Sequence, residues 1–477
     1  MPIETDVAIL GGGPGGYTAA ARAAQAGRSV VIVERDKLGG TCLHRGCIPS
    51  KSLLRSAEIY ATVKQAHAYG IEVPAGEPTV DWTAVHARKD AIVSQLYSGV
   101  QALMKQHKIQ IIHGAGRITG PSIFSPRSGA IAVELPDGDS ETVVAKHVIL
   151  ATGSRPRRLA DLPYDGKTVV TSDEALSWTE RPAAVIIVGG GVIGVEWASL
   201  LSDFGTAVTL VEAADRLLPA EDKDTSAAIA KALSARGVRI LTSAQLDASA
   251  CRVGEQDGVT VEVTAKGKRE TIAAARMMVS VGRQGNVEGI GLENTDVKSA
   301  NGFITVNPAT LQTGEPHIYA IGDVIGGVQL AHAAMHEGEV AVRHLLGASP
   351  ERCPDRDIPR CIYSRPEAAS IGWTEEAAKA AGYQVRTAKI PLRILGKALV
   401  HGESEGFAKG VADARTGDLL GVHLVGVHAT ELIAESSLAK LLDAVPWEIG
   451  RAIHPHPALS EIMQETMLAL AGNGGHG

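Results

Sequence analysis

What is scarce in this 477-residue chain excludes more than what is plentiful. No apolar run approaches the ~18 residues that a membrane-spanning helix needs. The N-terminus also lacks the charged-then-apolar order of a signal segment. A soluble, cytoplasmic protein with no membrane partner is expected. Basic residues are in deficit, 46 Lys and Arg against 53 Asp and Glu, and the formal charge of −7 has the wrong sign for a nucleic-acid-binding face. Cysteine is rarer still. Five cysteines, an odd number, do not make a secreted disulfide scaffold, and a cytosolic disulfide is more often catalytic than structural. The remaining composition, 45% hydrophobic and 21% charged, is that of an ordinary globular protein. The length exceeds one core, so three or four domains are expected. Glycine alone is in excess, with 53 residues, which suits several phosphate-cradling loops.

Those glycines are organised. Asp6-Val7-Ala8-Ile9-Leu10 reads as a buried parallel strand. It is followed by Gly11-Gly12-Gly13-Pro14-Gly15-Gly16, an Ala-rich helix to about Ala26, and a second strand from Ser29 to Val33 that ends at Glu34. Gly11, Gly13 and Gly16 hold the G-x-G-x-x-G positions. The first two let the backbone turn and approach a pyrophosphate at the helix N-terminus, and the third lets helix pack on strand. Glu34 falls 18 positions after Gly16, where a carboxylate would accept hydrogen bonds from ribose hydroxyls. The unit then repeats. Ala184 to Val188 is a strand, Gly189, Gly191 and Gly194 hold the loop, a helix runs to about Phe204, and the strand Ala207 to Val211 ends at Glu212, again 18 positions after the last glycine. Two nucleotide sites imply two cofactors, or a cofactor and a substrate.

Around these units, Thr171-Ser172-Asp173-Glu174 is a capping-box pattern at a helix start. Residues 55–118 read as helices with a polar loop around 72–80, and 121–145 as a β excursion. The composition after about Pro350 is mixed α/β, and the Gly-rich end, 471–477, is expected to be disordered. No metal site is expected.

The chemistry gathers in Gly39-Gly40-Thr41-Cys42-Leu43-His44-Arg45-Gly46-Cys47-Ile48-Pro49-Ser50-Lys51. In a regular helix, cysteines five apart would hold their Cα atoms about 8–9 Å apart, beyond the usual disulfide limit of about 7 Å. A bridge therefore needs a distorted first turn, which Gly46 and Pro49 permit. Spacing alone leaves two unrelated buried thiols equally open. A reactive thiolate wants an electropositive setting, and a helix start, His44, Arg45 and Lys51 could contribute one. Near the other end, His454-Pro455-His456-Pro457-Ala458-Leu459-Ser460-Glu461 joins imidazole, whose pKa lies near working pH, to a carboxylate able to hold the ring's second nitrogen.

The string from Gly39 to Lys51 resembles the redox-active segment of the flavoprotein disulfide reductases. Its Cys-Ile-Pro-Ser-Lys is the form typical of the branch that oxidises dihydrolipoamide. The resemblance spans nearly the whole chain. Ala151-Thr152-Gly153-Ser154 is similar to a segment that returns the chain to the flavin domain. His317 to Asp323 is similar to the second flavin motif, and Leu330-Ala331-His332-Ala333 to a segment lying along the isoalloxazine ring. The resemblance implies an α/β fold with two Rossmann-like nucleotide-binding domains, for FAD and NAD, and a C-terminal α+β dimerisation domain. The implied division is 1–150 (FAD, with the redox disulfide), 151–282 (NAD), 283–349 (a central piece completing the FAD site) and 350–477 (interface).

It also implies roles. Cys42 is the interchange thiol that meets the substrate and Cys47 the thiol beside the flavin. Lys51 lies near the flavin, paired with Glu196. His456 is the base and Glu461 its orienter, while His454 is structural. Gly11, Gly13, Gly16, Glu34, Lys51, Thr152, Gly153, Asp323 and Ala331 attend FAD, Gly189, Gly191, Gly194, Glu212 and Gly282 attend NAD, and Glu196 counts as cofactor-binding through its pairing with Lys51. His44 and Arg45 depart from the uncharged residues more usual between the cysteines, and Ala458 from the commoner Thr.

The implied reaction is oxidation of protein-bound dihydrolipoamide to lipoamide, with electrons passing through the disulfide and FAD to NAD+. It is carried out by a homodimer. The partner is the lipoylated domain of an E2 acyltransferase, or the glycine-cleavage H protein, within a multienzyme complex. The chain opens directly on its flavin strand, so the lipoyl group is expected to arrive on that partner. Other readings fit less well. Glutathione reductase-like enzymes use NADP and commonly carry arginines where Glu212 stands. Mercuric reductase-like enzymes use an extra C-terminal cysteine pair, and no cysteine follows Cys361. A mainly scaffolding flavoprotein subunit would need neither both cysteines nor the His–Glu pair.

Overall fold

Strand, glycine turn and helix assemble the same way twice. The computed structural model describes residues 1–73, 78–121, 128–254 and 258–472. Part of the 72–80 loop, part of the 121–145 excursion and most of the Gly-rich end lie outside the described residues. The described chain gathers into two units: Met1–Ser52 with His86–Arg157 and Gly282–Cys353, and Leu53–Val85 with Arg158–Val281 and Pro354–Gly477.

In the first unit the strand Ile3–Leu10 is central. It pairs in parallel with Val30–Glu34 on one side and with Ser140–Leu150 on the other. Val7, Ala8 and Ile9 are wholly buried, as the continuous apolar run of a two-face-covered parallel strand requires. Gln110–His113 extends the parallel run beyond Val30–Glu34, and Ile318–Ala320 pairs in parallel with Ser140–Leu150. Ala130–Glu134 and Ala115–Thr119 continue it antiparallel. The strands at 110–119 correct the helical reading of that stretch. The helix Trp82–Gln106 ends before them, and Ile109, Ile111, Ile112 and Ile118 supply the β-branched side chains that this sheet buries or half-buries.

The second unit holds the second repeat. Its five parallel strands lie in the order Arg239–Leu241, Ala207–Val211, Ala184–Val188, Arg276–Val279, Val169–Thr171. Thr171 forms the expected capping box. Its hydroxyl accepts from Asp173 N at 3.3 Å and its own N donates to Glu174 Oε2 at 2.8 Å, although the helix it starts is only Ser172–Ala175. Toward the C-terminus an antiparallel sheet orders Arg360–Ile362, Ala368–Gly372, Leu419–Val425, Phe407–Asp413 and Val385–Pro391. The helices Ala429–Leu441 and Glu461–Leu470 pack on it.

An ion cluster stitches this sheet to the second nucleotide fold. Lys409, with its side chain 4% exposed, donates to Asp222 at 2.9 Å, Asp224 at 2.8 Å and Glu375 at 2.8 Å. Asp222 also caps the helix Lys223–Ala235 through Asp224 N. Burial opposes the charge on Lys409, but hydrogen bonds to Asp224, Glu375 and Asp222 outweigh it and raise its pKa. Burial likewise opposes charge on Asp222 and Asp224, yet Lys409 and their other donors hold both below the usual carboxylate range. His423 is fully buried on the adjacent strand, and burial pulls its pKa down.

The carboxylates and His423 bind protons more readily when unfolded. The stability from His423 is therefore complete above about pH 6.5 and that from the carboxylates above about pH 4, and both fall away as pH drops through those windows. Lys409→Met should destabilise the protein by about 3–5 kcal/mol at neutral pH, because it leaves the buried Asp222 carboxylate without its cation, whereas Asp224 and Glu375 keep Lys389 and Lys379. Calorimetric unfolding followed from about pH 7.5 to well below about pH 4 should show that penalty shrinking as the carboxylates protonate. A penalty independent of pH would mean that packing, not charge, is lost.

Candidate active site

Each dinucleotide loop opens on a glycine that no other residue could replace. Gly11 (φ +108°) and Gly189 (φ +109°) sit in the left-handed region, and a Cβ on either would overlap a carbonyl oxygen, of Ala151 and Ser280 respectively. By contrast, a Cβ on Gly13 would meet only Gly40 Cα, at 4.0 Å, and one on Gly191 nothing within 4 Å. The backbone is thus crowded beneath each loop and open above it. The helices that come next, Pro14–Gln25 and Val192–Asp203, begin without a side-chain cap, so their first N–H groups face a space that an anion suits. Two pyrophosphates fit these two cradles.

The acids at the strand ends are more committed than their sequence positions imply. Glu34 accepts from Gly12 N at 2.7 Å and from Asp36 N at 2.8 Å. Glu212 repeats this with Gly190 N at 2.5 Å and Ala214 N at 2.6 Å. Each carboxylate therefore shapes its own loop, and its remaining lone pairs can still accept from a ribose.

Asp323 lies at the start of the short 3-10 turn Gly322–Ile325, just past the strand Ile318–Ala320. Its Oδ2 accepts from Ser154 Oγ at 2.5 Å. Arg283 closes the group, donating to Ser154 Oγ at 2.7 Å and Ser154 O at 2.9 Å. Thr152 and Asn286 bind reciprocally: Thr152 Oγ1 donates to Asn286 O, and Asn286 Nδ2 to Thr152 O, both at 2.9 Å. Gly153 O accepts from Asn286 N, and Gly282 O from Arg157 N. Glu337, 3% exposed, accepts from Gly322 N at 2.7 Å and from Arg352 at 2.8 Å. Ala331 begins the helix Ala331–Leu345. Sequence reasoning misses Arg283, Asn286, Glu337 and Arg352 as positioning groups. Only Glu337 leaves a signal, an acid on the otherwise small and apolar buried face Ala333, Ala334, Gly338, Val340, Ala341.

Cys42 and Cys47 are joined, with their Cα atoms 4.7 Å apart. The required distortion is a full break at Gly46 between the short helix Gly40–Arg45 and the long helix Cys47–Lys64. A Cβ on Gly46 would stand 3.1 Å from Thr41 O and 3.4 Å from Cys42 Cα, so a side chain there would crowd the break. Pro49 is buried inside the first turn of the long helix and does not interrupt it. Both cysteines are half-buried. Lys51 lies one turn beyond Cys47 on the same helix, also half-buried. Glu196, in the second unit, is 5% exposed on the helix Val192–Asp203 and accepts from Tyr363 N at 3.0 Å.

In the second unit His456 Nδ1 meets Glu461 Oε1 at 2.8 Å. A carboxylate only accepts, so Nδ1 carries the hydrogen and Nε2 is left as the basic nitrogen. The side chain of His456 is 78% exposed. Ala458 N donates to Glu461 Oε2 at 2.9 Å, and that bond, with the His456 contact, holds the Glu461 carboxyl below the usual range. His454 differs. Its side chain is 6% exposed, with Nε2 on Glu435 at 2.9 Å and Nδ1 on Ala452 O at 3.0 Å. Among the described residues no group of three or more His, Cys, Asp or Glu is arranged to hold a metal ion, and no helix is long and apolar enough to cross a membrane.

Two dinucleotide cradles, a disulfide on a broken helix and a His–Glu pair define a nucleotide-dependent disulfide oxidoreductase. Residues 5–338 match the family described as pyridine nucleotide-disulphide oxidoreductase, and residues 358–467 match its dimerisation domain. Dihydrolipoyl dehydrogenases of Bacillus subtilis and Zymomonas mobilis are 53% and 41% identical to it, each over 100% of both chains. The crystal structure of LpdA from Mycobacterium tuberculosis superposes with a TM-score of 0.89 at 27% identity, covering 98% of this chain and 99% of that one. The chain belongs to the pyridine nucleotide-disulphide oxidoreductase family, and it is an enzyme of the dihydrolipoyl dehydrogenase kind, using FAD and NAD.

Glu212→Ala is expected to weaken both nicotinamide cofactors by loosening the Gly190 turn. The ratio of kcat/KM for NAD to that for NADP should fall about tenfold or more, given roughly 1.5–3 kcal/mol for a hydrogen bond to a charged group. An unchanged ratio would place nucleotide discrimination elsewhere.

Proposed function

We propose that this enzyme oxidises the dihydrolipoyl group of a partner protein to lipoyl and reduces NAD+, through the Cys42–Cys47 disulfide. The observation that carries the reading is that disulfide, held across a glycine break in a chain with two dinucleotide cradles. Gly11, Gly13, Gly16, Glu34, Lys51, Thr152, Gly153, Asp323 and Ala331 would hold FAD, and Gly189, Gly191, Gly194, Glu212 and Gly282 would hold NAD, with Glu196 a further cofactor-binding acid. His456 Nε2 takes a proton from one substrate thiol. The resulting thiolate attacks Cys42 Sγ, and the Cys42–Cys47 bond breaks with Cys47 leaving as thiolate. The second substrate thiol, deprotonated in turn, attacks the mixed disulfide. Lipoyl leaves, and both cysteines are reduced. FAD, when bound, carries the electron pair onward to NAD+.

The partner is read as the lipoylated domain of an E2 acyltransferase or the glycine-cleavage H protein, and the setting as the cytoplasm. The four-part division at 150, 282 and 349 belongs to the same reading. Anaerobic titration with dihydrolipoamide tests it. A long-wavelength thiolate-to-flavin absorption band should appear, and Cys42→Ser should lose lipoamide turnover while keeping NADH oxidation by dyes that act on the flavin. Equal loss of both activities with FAD retained would remove Cys42 from the substrate-facing role.

The dimerisation domain makes the homodimer the working unit, and in the proposed arrangement His456 serves the cysteines of the other subunit. Cys42→Ser and His456→Gln chains, each inactive alone, should regain roughly a quarter of wild-type activity when refolded together. Half of randomly paired dimers would then carry one intact site. No recovery in a mixture whose mixed dimers are verified by mass would put His456 in its own chain's site.

A further inference from the structure

The two residues that set this redox turn apart, His44 and Arg45, behave differently. Arg45 pairs with Asp36 at 2.9 Å, but both side chains are half-exposed, and a solvent-screened pair of that kind contributes little. His44 is half-buried. Its Nε2 meets Leu38 O at 2.8 Å, and its ring stands edge-on to Tyr97 with centroids 5.3 Å apart. A carbonyl only accepts, so Nε2 is the donor.

Leu38 is a fixed point. It is 1% exposed in the core beneath the first dinucleotide loop, and the next residue's N donates to Gly12 O at 2.8 Å. The helix that carries Cys42 is not fixed in its own right. It spans only Gly40–Arg45, has no side-chain cap, and is entered through two glycines in the left-handed region. Its first bond, Leu43 N to Gly39 O, is 3.4 Å long. So short a helix is marginal in water. Three things hold it: the buried Leu43 side chain, the disulfide, and His44. The second is absent whenever the pair is reduced.

We propose that His44 is a positioning residue for the redox couple, the brace that keeps Cys42 beside Cys47 after the disulfide opens. The proposal rests on the redox role given to the pair above. The half-reaction is disulfide plus two electrons and two protons giving two thiols. Two thiols held together re-form the bond at a higher effective concentration than two thiols on a loosened turn. The brace therefore favours the disulfide, and losing it favours the dithiol.

The test equilibrates the full-length, flavin-loaded enzyme in dithiothreitol redox buffers, traps thiols by alkylation and counts them on Cys42 and Cys47 by mass. His44→Leu keeps the bulk but cannot donate, and should shift the equilibrium about three- to tenfold toward the dithiol, tenfold being about 30 mV for a two-electron couple. His44→Asn, polar but too short to reach Leu38 O, should shift it the same way and stands in if the Leu protein does not fold. His44→Gln, whose amide nitrogen extends about as far as Nε2, should stay within about twofold of wild type. Leu and Asn variants indistinguishable from wild type would overturn the inference, and so would a Gln variant that moves as far as Leu, since the ring and not its hydrogen bond would then matter. A wild-type enzyme in which Cys42 and Cys47 do not titrate as a couple would overturn the redox reading together with it.

Discussion

Bringing two α-carbons within 4.7 Å along an otherwise helical segment is the constraint on which the chemistry of this chain depends. An unbroken helix would hold them about 8–9 Å apart, so the helix must fail between them. It fails at Gly46, where any side chain would crowd Thr41 O. Breaking a helix exposes backbone groups and loosens the turns on either side of the break. Here the loosening is contained on both sides, by Leu43 buried before the break and Pro49 buried after it. The cysteines held by these anchors stay half-buried, open enough for thiol exchange.

The two dinucleotide cradles meet a related problem, a backbone that must stay open to a ligand without going slack. Both solve it with the carboxylate 18 residues past the third glycine. Glu34 and Glu212 each take two backbone N–H groups, one from the residue after the loop's first glycine (Gly12 and Gly190) and one from two residues beyond the acid. Hydrogen bonds to charged groups contribute roughly 1.5–3 kcal/mol each, more than a neutral contact would. Loop shape and ribose recognition are therefore functions of one side chain, and any change made there to alter cofactor choice also alters the turn that holds the phosphates.

The motifs are legible in the sequence because their geometry tolerates few residues. Gly11 and Gly189 have no substitute under their carbonyls, and the strands Ala184–Val188 and Ala207–Val211 begin and end where alternation with the glycine loop puts them. The stretch from 110 to 119 reads as helix because its isoleucines carry no partner information. Only the waiting edge of Val30–Glu34 makes Gln110–His113 a strand. The C-terminal sheet reads as no more than mixed α/β for a similar reason. Phe407–Asp413 and Leu419–Val425 are buried throughout, so they show no period-two alternation, and each includes charged or titratable side chains, Lys409, Asp413 and His423, that look like surface until their partners are known. The positioning groups around Asp323 are silent because Arg283 and Asn286 act on residues about 130 positions away.

Burial also sorts the histidines by what they can do. His86, His147, His336 and His423 are each pushed by burial toward the neutral form, and none of them can take up a proton without a cost to folding. His454 and His456 share a His-Pro repeat, yet His454 has both ring nitrogens engaged under cover while His456 has one held by Glu461 and the other in the open. A general base must accept a proton from a substrate and return it to solvent many times over, so it needs a free nitrogen, an accessible ring and a partner for the cation that forms. Asp222 and Lys409 show the opposite use of charge in the same unit, where access is denied and the ions serve only to lock strand to helix. Of these six histidines His456 alone meets all three requirements, which favours the exposed C-terminal loop as the seat of proton transfer.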